Sequence, residues 1–262
     1  MKPETFLWPS TQEIPPLTPG DVHVFAWDLD LDRDLPPSPV DWEVLSEEEG
    51  LRARRFVFPR DRDHYVRAHS VMRVLLAGYL EISAREIRFA NGEFGKPRVE
   101  YPEATESIRF NLTHSGGIAM LAVAREYELG IDVEVVRTID KEVAEHHFSP
   151  RELLTLGSLP PEQWQAGFYR CWTSKEALLK GVGCGLHLAL DAFDVEADPQ
   201  RAPALLGWRP LADRVAGWRL IELRAAAGVM GTLAVRDPGS EFSPEFSPEF
   251  SPDRVRCFFF QP

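Results

Sequence analysis

Alternation and helical spacing divide the chain before any composition is counted. Val22-His23-Val24-Phe25-Ala26-Trp27 has the alternation and β-propensity of a strand. The proline-rich stretch Leu35-Pro36-Pro37-Ser38-Pro39 predicts a loop, and Ser46-Glu47-Glu48-Glu49 is a capping box that opens a short basic helix. Tyr65, His69, Met72, Leu76 and Tyr79 recur at three- or four-residue steps, so the spacing predicts a helix over 61–80 with one buried stripe. Ile108, Phe110 and Leu112 alternate with Arg109, Asn111 and Thr113, the pattern of a half-buried strand. The tight Ser115-Gly116-Gly117 turn then leads into a strand over 118–124, and a further strand is predicted over 130–136. Ser149-Pro150-Arg151-Glu152 joins a capping box to a proline at the first helical position, a strong helix start. Trp164, Phe168, Trp172 and Leu179 mark a longer helix that should stop at Gly181, Gly183 and Gly185. Late strands are predicted over 220–225 and 230–235.

Strands and helices in this order do not alternate regularly, so the expected class is α+β rather than a doubly wound parallel sheet. The succession strand, helices, strands occurs once in each half. Two similar lobes are therefore expected, over 1–125 and 126–262. Between Glu241 and Pro252 the unit Glu-Phe-Ser-Pro occurs three times in tandem. Proline in every unit prevents a ladder or a continuous helix, so 240–252 reads as a flexible tip or linker.

With 262 residues, 44% hydrophobic and 27% charged, the chain can bury one large core or two small ones. No apolar stretch approaches the roughly 20 residues that span a bilayer. Met1-Lys2-Pro3-Glu4 begins no basic region followed by an apolar run, so no secretory signal and no membrane association are expected. Cys171, Cys184 and Cys257 show no paired spacing, and a cytoplasmic setting is the expectation. A net charge of −12 argues against a general nucleic-acid binder. Yet Arg52, Arg54, Arg55, Arg60, Arg62, Arg67 and Arg73 crowd one stretch. They suit either a specific anionic ligand or partner, or simply solvated helix faces.

Four constellations carry candidate chemistry. On a strand, Asp132 and Glu134 of Gly130-Ile131-Asp132-Val133-Glu134 project from one face, with Ile131 and Val133 behind them. Such neighbours repel unless something positive lies between them, and magnesium meets that need with oxygen ligands; a solvated acidic face is the alternative. In Trp172-Thr173-Ser174-Lys175-Glu176-Ala177-Leu178-Leu179-Lys180, Glu176 and Lys180 share a helix face with Trp172. That spacing also suits an ordinary surface ion pair. Thr113 and His114 in Asn111-Leu112-Thr113-His114-Ser115 could grasp phosphate oxygens or serve structure alone. Phe94-Gly95-Lys96-Pro97 holds a cation in a restricted loop and is weak by itself.

In order and separation, these segments together resemble the 4'-phosphopantetheinyl transferase superfamily, in its larger, surfactin-synthetase-activating (Sfp) type. The resemblance runs over 52–190. It implies two related α+β lobes with coenzyme A in the cleft, and magnesium held by Asp132, Glu134 and Glu176. It implies coenzyme A contacts from Arg52, Lys96, Thr113, His114 and Lys180, beside Asp132. Where members place an arginine for the 3'-phosphate, this chain has His64, and Arg62 or Arg67 could substitute. The implied reaction moves the 4'-phosphopantetheine arm of coenzyme A onto a serine of an apo acyl, polyketide or peptidyl carrier protein. Catalysis would fall to Glu176, Lys180 and Asp132, with Glu176 as general base. Carrier docking is expected near 138–148 and the helix after Ser149, and two fused lobes imply a monomer. A non-catalytic module that binds coenzyme A or a carrier is the alternative. A phosphotransferase using ATP is disfavoured because no Gly-x-x-x-x-Gly-Lys-Ser/Thr loop occurs.

Overall fold

The computed structural model describes residues 4–7, 14–31, 35–101, 108–209, 215–224, 226–236 and 251–261. In chain order the elements are β1 (Glu4–Leu7), β2 (Val22–Asp28), α1 (Pro39–Glu43), α2 (Glu47–Ala53), α3 (Pro59–Leu80), β3 (Arg88–Asn91), β4 (Pro97–Tyr101), β5 (Arg109–Ser115) and β6 (Ile118–Ala124). There follow β7 (Glu128–Val135), α4 (Lys141–His147), α5 (Pro150–Ser158), α6 (Trp164–Val182), β8 (Phe193–Val195), β9 (Leu205–Trp208), β10 (Arg219–Leu223), β11 (Val229–Arg236) and β12 (Val255–Gln261). The class is α+β, as the irregular order of elements predicts. No described helix is long and apolar enough to cross a membrane, and Cys171, Cys184 and Cys257 are free thiols.

Two sheets form the frame. One has five strands in the order β1-β12-β2-β6-β5, the other three in the order β10-β11-β7. The segment joined to the second half by sequence thus returns to the first sheet. Strand β12 pairs parallel with β2, from Val255 against Val22 to Phe260 against Trp27. The reason is that β2 is buried along nearly its whole length and needs a neighbour on each edge. Phe258 stacks on Phe25 at 5.0 Å. Residues 255–261, late in the chain, thus lie in the same sheet as β2, β5 and β6. The repeat over 241–250 lies outside the described residues.

Alternation sorts the apolar side chains into three cores. Phe25, Trp27, Leu121 and Phe110 face α3, where Met72, Leu75, Leu76 and Tyr79 supply the predicted stripe. Val24, Ala26, Met120 and Ala122 point the other way, onto Leu129, Ile131, Val133 and Leu233 of the second sheet. Beyond that sheet, Phe168, Cys171, Leu178 and Leu179 of α6 pack with Phe193, Trp218 and Ala234. The layers therefore run α3, first sheet, second sheet, α6. This order explains one departure from the sequence reading. Strand β5 is not half-buried: Asn111 and Thr113 are enclosed as well, because β7 covers their face.

Two features fix α6 on this frame. Gly130 of β7 lies against the helix backbone, and a Cβ there would collide with the Ala177 carbonyl and the Gly181 amide. The helix runs through Gly181 and stops only where Gly183 takes φ 71°, a left-handed cap. On its far side Lys175 is wholly buried against Glu152, Nζ to Oε1 2.8 Å. Lys175 also donates to the Leu190 and Phe193 carbonyls at 2.6 and 2.7 Å. Glu152 does more than cap α5: its oxygens accept from the Ser149 and Val195 amides, each at 2.8 Å. A buried pair is tolerable only with such complete hydrogen bonding.

Gly130→Ala should therefore lower unfolding stability by about 2 kcal/mol or more through overpacking. Lys175→Met, which strands the Glu152 charge, should cost about 3–5 kcal/mol. Urea unfolding reads both. An unchanged midpoint for Gly130→Ala would show that helix and strand are not in backbone contact.

Candidate active site

Among the described residues, strand β7 has a ladder on one edge only, with β11. Its other edge runs beside β5, whose polar side chains satisfy it. Asn111 Oδ1 accepts from the Ile131 amide at 2.8 Å, and Ser115 Oγ from the Val135 amide at 3.4 Å. The same side chains reach the carboxylates: Ser115 Oγ donates to Glu134 Oε2 at 2.5 Å and Thr113 Oγ1 to Asp132 Oδ1 at 3.3 Å. Helix α6 closes the group from the other side. Lys180 Nζ stands 2.6 Å from Asp132 Oδ1 and 3.1 Å from Thr113 Oγ1. The strand, turn and helix motifs thus meet at Thr113, Asp132 and Lys180. From Cys171 to Lys180 only Trp172, Glu176 and Lys180 escape full burial, a row at four-residue spacing that faces this seam.

Burial and charge act together here. Asp132 is 4% exposed. Its carboxyl is pushed up to about 7, chiefly by burial and further by Glu134 and Glu176, while Lys180 opposes the shift. Glu176 is also raised, first by burial and then by Glu134, against Lys180 and His147. Three ionised carboxylates set against one ammonium would leave two negative charges. The buried Oδ2 of Asp132 has no hydrogen-bond partner. Hard oxygen donors, an orphaned oxygen and an excess of two negative charges fit a divalent cation such as magnesium. The cage expected from Asp132, Glu134 and Glu176 is nevertheless not preformed: among the described residues no such three groups are gathered into a coordination sphere. Lys180 and Ser115 hold oxygens that the cation would need, and mutual repulsion favours keeping the carboxylates apart.

On the other side of β5 lies a cavity of about 1380 Å³, bordered by Asn111, Leu112 and His114. Arg52, Tyr65, His69, Arg73, Gly95 and Pro97 also line it, and no member of the carboxylate group does. The Arg52 guanidinium sits 5.6 Å over the Tyr65 ring, which stacks on His69 at 3.8 Å. His69 is pushed down to about 4, mainly by burial. His114 links cavity and seam: burial lowers its pKa, as do His64 and Lys180, with Asp61 opposing.

Other expected contacts lie elsewhere. Lys96 sits between two cavity-lining residues, but its ammonium donates to the Gly181 and Leu129 carbonyls at 2.7 and 2.9 Å. Arg67 donates to the Leu29 and Leu35 carbonyls at 2.7 and 2.6 Å, and Arg62 bonds Asp63 at 2.8 Å. His64 Nε2 lies 3.0 Å from Asp30 Oδ1. None of these three lines the cavity. Sequence reasoning missed Tyr65 and His69 as lining residues, because helical spacing marks them only as buried. It also missed Asn111 and Ser115 as the stitches between strands, although their spacing with Thr113 placed all of them on one face.

Comparison with known proteins adds a family to this geometry. A model described as the 4'-phosphopantetheinyl transferase superfamily matches residues 128–226. Another, described as 4'-phosphopantetheinyl transferase, N-terminal, matches 36–126. The 4'-phosphopantetheinyl transferase HetI of a Nostoc species is 35% identical over 223 residues, covering 84% of this chain and 91% of that protein. The 4'-phosphopantetheinyl transferase Sfp of Bacillus subtilis is 31% identical over 152 residues, 58% of this chain and 66% of its own. The human L-aminoadipate-semialdehyde dehydrogenase-phosphopantetheinyl transferase is 28% identical over 177 residues, 62% of this chain and 57% of its own. With the family's ordered motifs brought together at one seam and a relative matched along most of its length, the chain belongs to the 4'-phosphopantetheinyl transferase superfamily, a family of enzymes.

Proposed function

We propose that the protein transfers the 4'-phosphopantetheine moiety of coenzyme A to a serine hydroxyl of an apo carrier protein, releasing 3',5'-ADP, with magnesium. The observation that carries this reading is the meeting of Thr113, Asp132 and Lys180 between β5, β7 and α6, beside a large cavity. Magnesium held by Asp132, Glu134 and Glu176 would offset charge on the pyrophosphate oxygens. The chain's own groups do the rest. Lys180 adds a positive charge where the leaving diphosphate develops negative charge. Thr113 and His114 offer hydrogen-bond donors to phosphate oxygens. Arg52, with Tyr65 and His69, would hold the adenosine 3'-phosphate end in the cavity. As the serine oxygen bonds to the β-phosphorus, the bond to the bridging oxygen of 3',5'-ADP breaks, and Glu176 takes the hydroxyl proton. Its raised pKa makes Glu176 a better base than an ordinary carboxylate.

The carrier serine must approach from the open end of the Trp172–Glu176–Lys180 row. Helix α4 borders that end, with the His147 ring packed edge-on to Trp172 at 5.7 Å. We place carrier docking there, at 138–148 and the start of α5, with the Arg52–Arg62 flank steering an acidic partner. A monomer is enough for this site, since both motif-bearing sheets come from one chain.

Mass spectrometry of an apo carrier incubated with protein, coenzyme A and magnesium should show one added phosphopantetheine. A carrier left unmodified across acyl, polyketide and peptidyl classes would favour a binding module instead. Asp132→Ala and Glu176→Ala should each lower transfer by about 100-fold or more with the fold intact by circular dichroism. Magnesium should also raise Tm more at pH 8 than at pH 6. With Asp132 pushed up to about 7, the ion must displace a proton at the lower pH and meets an ionised carboxylate at the higher. Asp132→Asn should abolish that difference, and equal shifts in the unaltered protein would detach Asp132 from the cation.

A further inference from the structure

The contacts of Lys96 converge on the place where α6 crosses β7. Its ammonium donates to the Gly181 carbonyl at 2.7 Å and the Leu129 carbonyl at 2.9 Å, and Glu128 Oε2 lies 3.5 Å away. These acceptors match the three N–H groups of a lysine. Leu129 immediately precedes Gly130, and Gly181 immediately follows Lys180. Gly130 and Gly181 are the residues at which strand and helix backbones touch. Lys96 therefore bonds both sides of the crossing at the point of closest approach.

Each carbonyl needs a partner from outside its own element. Gly181 lies in the last turn of α6, where carbonyls lack intrahelical donors and the helix end is negative. Leu129 lies on β7, whose edge toward β5 has no ladder. Two carbonyl dipoles brought together at a backbone contact repel, and one ammonium turns that repulsion into a bridge. Burial lowers the Lys96 pKa, opposed by Glu128, so the cation is costly to enclose and is held by what it bonds.

We propose that Lys96 is a positioning residue. It locks the crossing of α6 on β7 and so sets the register that places Lys180 Nζ against Asp132. Lys96 acts through Lys180 and does not itself grip the cofactor. The inference rests on the reading of Lys180 and Asp132 as the phosphate-side pair of a transferase.

Transfer kinetics, product binding and amide exchange test it together, using Lys96→Met, and Lys96→Gln should the methionine variant not fold. Relative to the unaltered protein, kcat should fall about tenfold or more while KM for coenzyme A and Kd for 3',5'-ADP stay within about twofold. The double variant with Lys180→Ala should be no slower than Lys180→Ala alone, because the two residues act in series. The Gly183 amide, bonded to Leu179 at the end of α6, should exchange about tenfold faster, with α3 unchanged. A tenfold weaker Kd for 3',5'-ADP with kcat preserved would make Lys96 a ligand contact and overturn the proposal. Additive losses in the double variant, or unchanged exchange at Gly183, would overturn it too. If the unaltered protein transfers nothing, the transferase reading has failed instead, and exchange at Gly183 still decides whether the clamp exists.

Discussion

Everything at the site follows from the backbone contact of α6 with β7 at Gly130. Gly130 makes this possible, since any Cβ there would meet the Ala177 carbonyl and the Gly181 amide. Close approach brings Lys180 within 2.6 Å of Asp132. A helix held a side chain's width farther out would lose that contact, and with it the Lys180 charge that opposes the rise of the Asp132 pKa. The partners that hold the helix down are lysines on two sides of it: the buried Lys175 on Glu152, and the half-buried Lys96 on the crossing itself. Both are expensive ions to enclose, and both are fully supplied with acceptors.

The second constraint is the unpaired edge of β7. A sheet edge without a ladder ordinarily needs covering. Here the polar side chains of β5 do so, and in doing so they join the two sheets at the place where the carboxylates stand. Asn111, Thr113 and Ser115 therefore belong to structure and to site at once. The price in burial falls on Asp132, whose carboxyl is raised toward neutrality by enclosure and by two like charges. The arrangement is incomplete in charge, and a divalent cation is the simplest group that would complete it.

Much of this was legible in the residues. The helix expected over 61–80 and found over 59–80, the capping boxes at Ser46 and Ser149, and the strands around Phe110, Leu121 and Ile131 all follow from local spacing and cap chemistry. So did the shared face of Asp132 and Glu134 and the row of Trp172, Glu176 and Lys180. Other elements left no comparable mark. Hairpin β3–β4 is short, and β12 follows a proline-rich repeat that hides its strand character. Lys96 reads as a loop cation in an extended segment, and nothing near it in sequence names Leu129 or Gly181.

By itself, then, the sequence determined which residues are polar on which face of which element, because alternation and helical pitch are properties of a few neighbouring residues. It also carried the motif order that marks the family. Only the tertiary structure decided which faces meet. It gave Asn111 and Ser115 to the edge of β7, Arg67 to the Leu29 and Leu35 carbonyls, and Lys96 to the helix crossing. Those partners lie far apart along the chain, and a hydrogen bond is chosen by distance and direction in space, which local pattern does not encode.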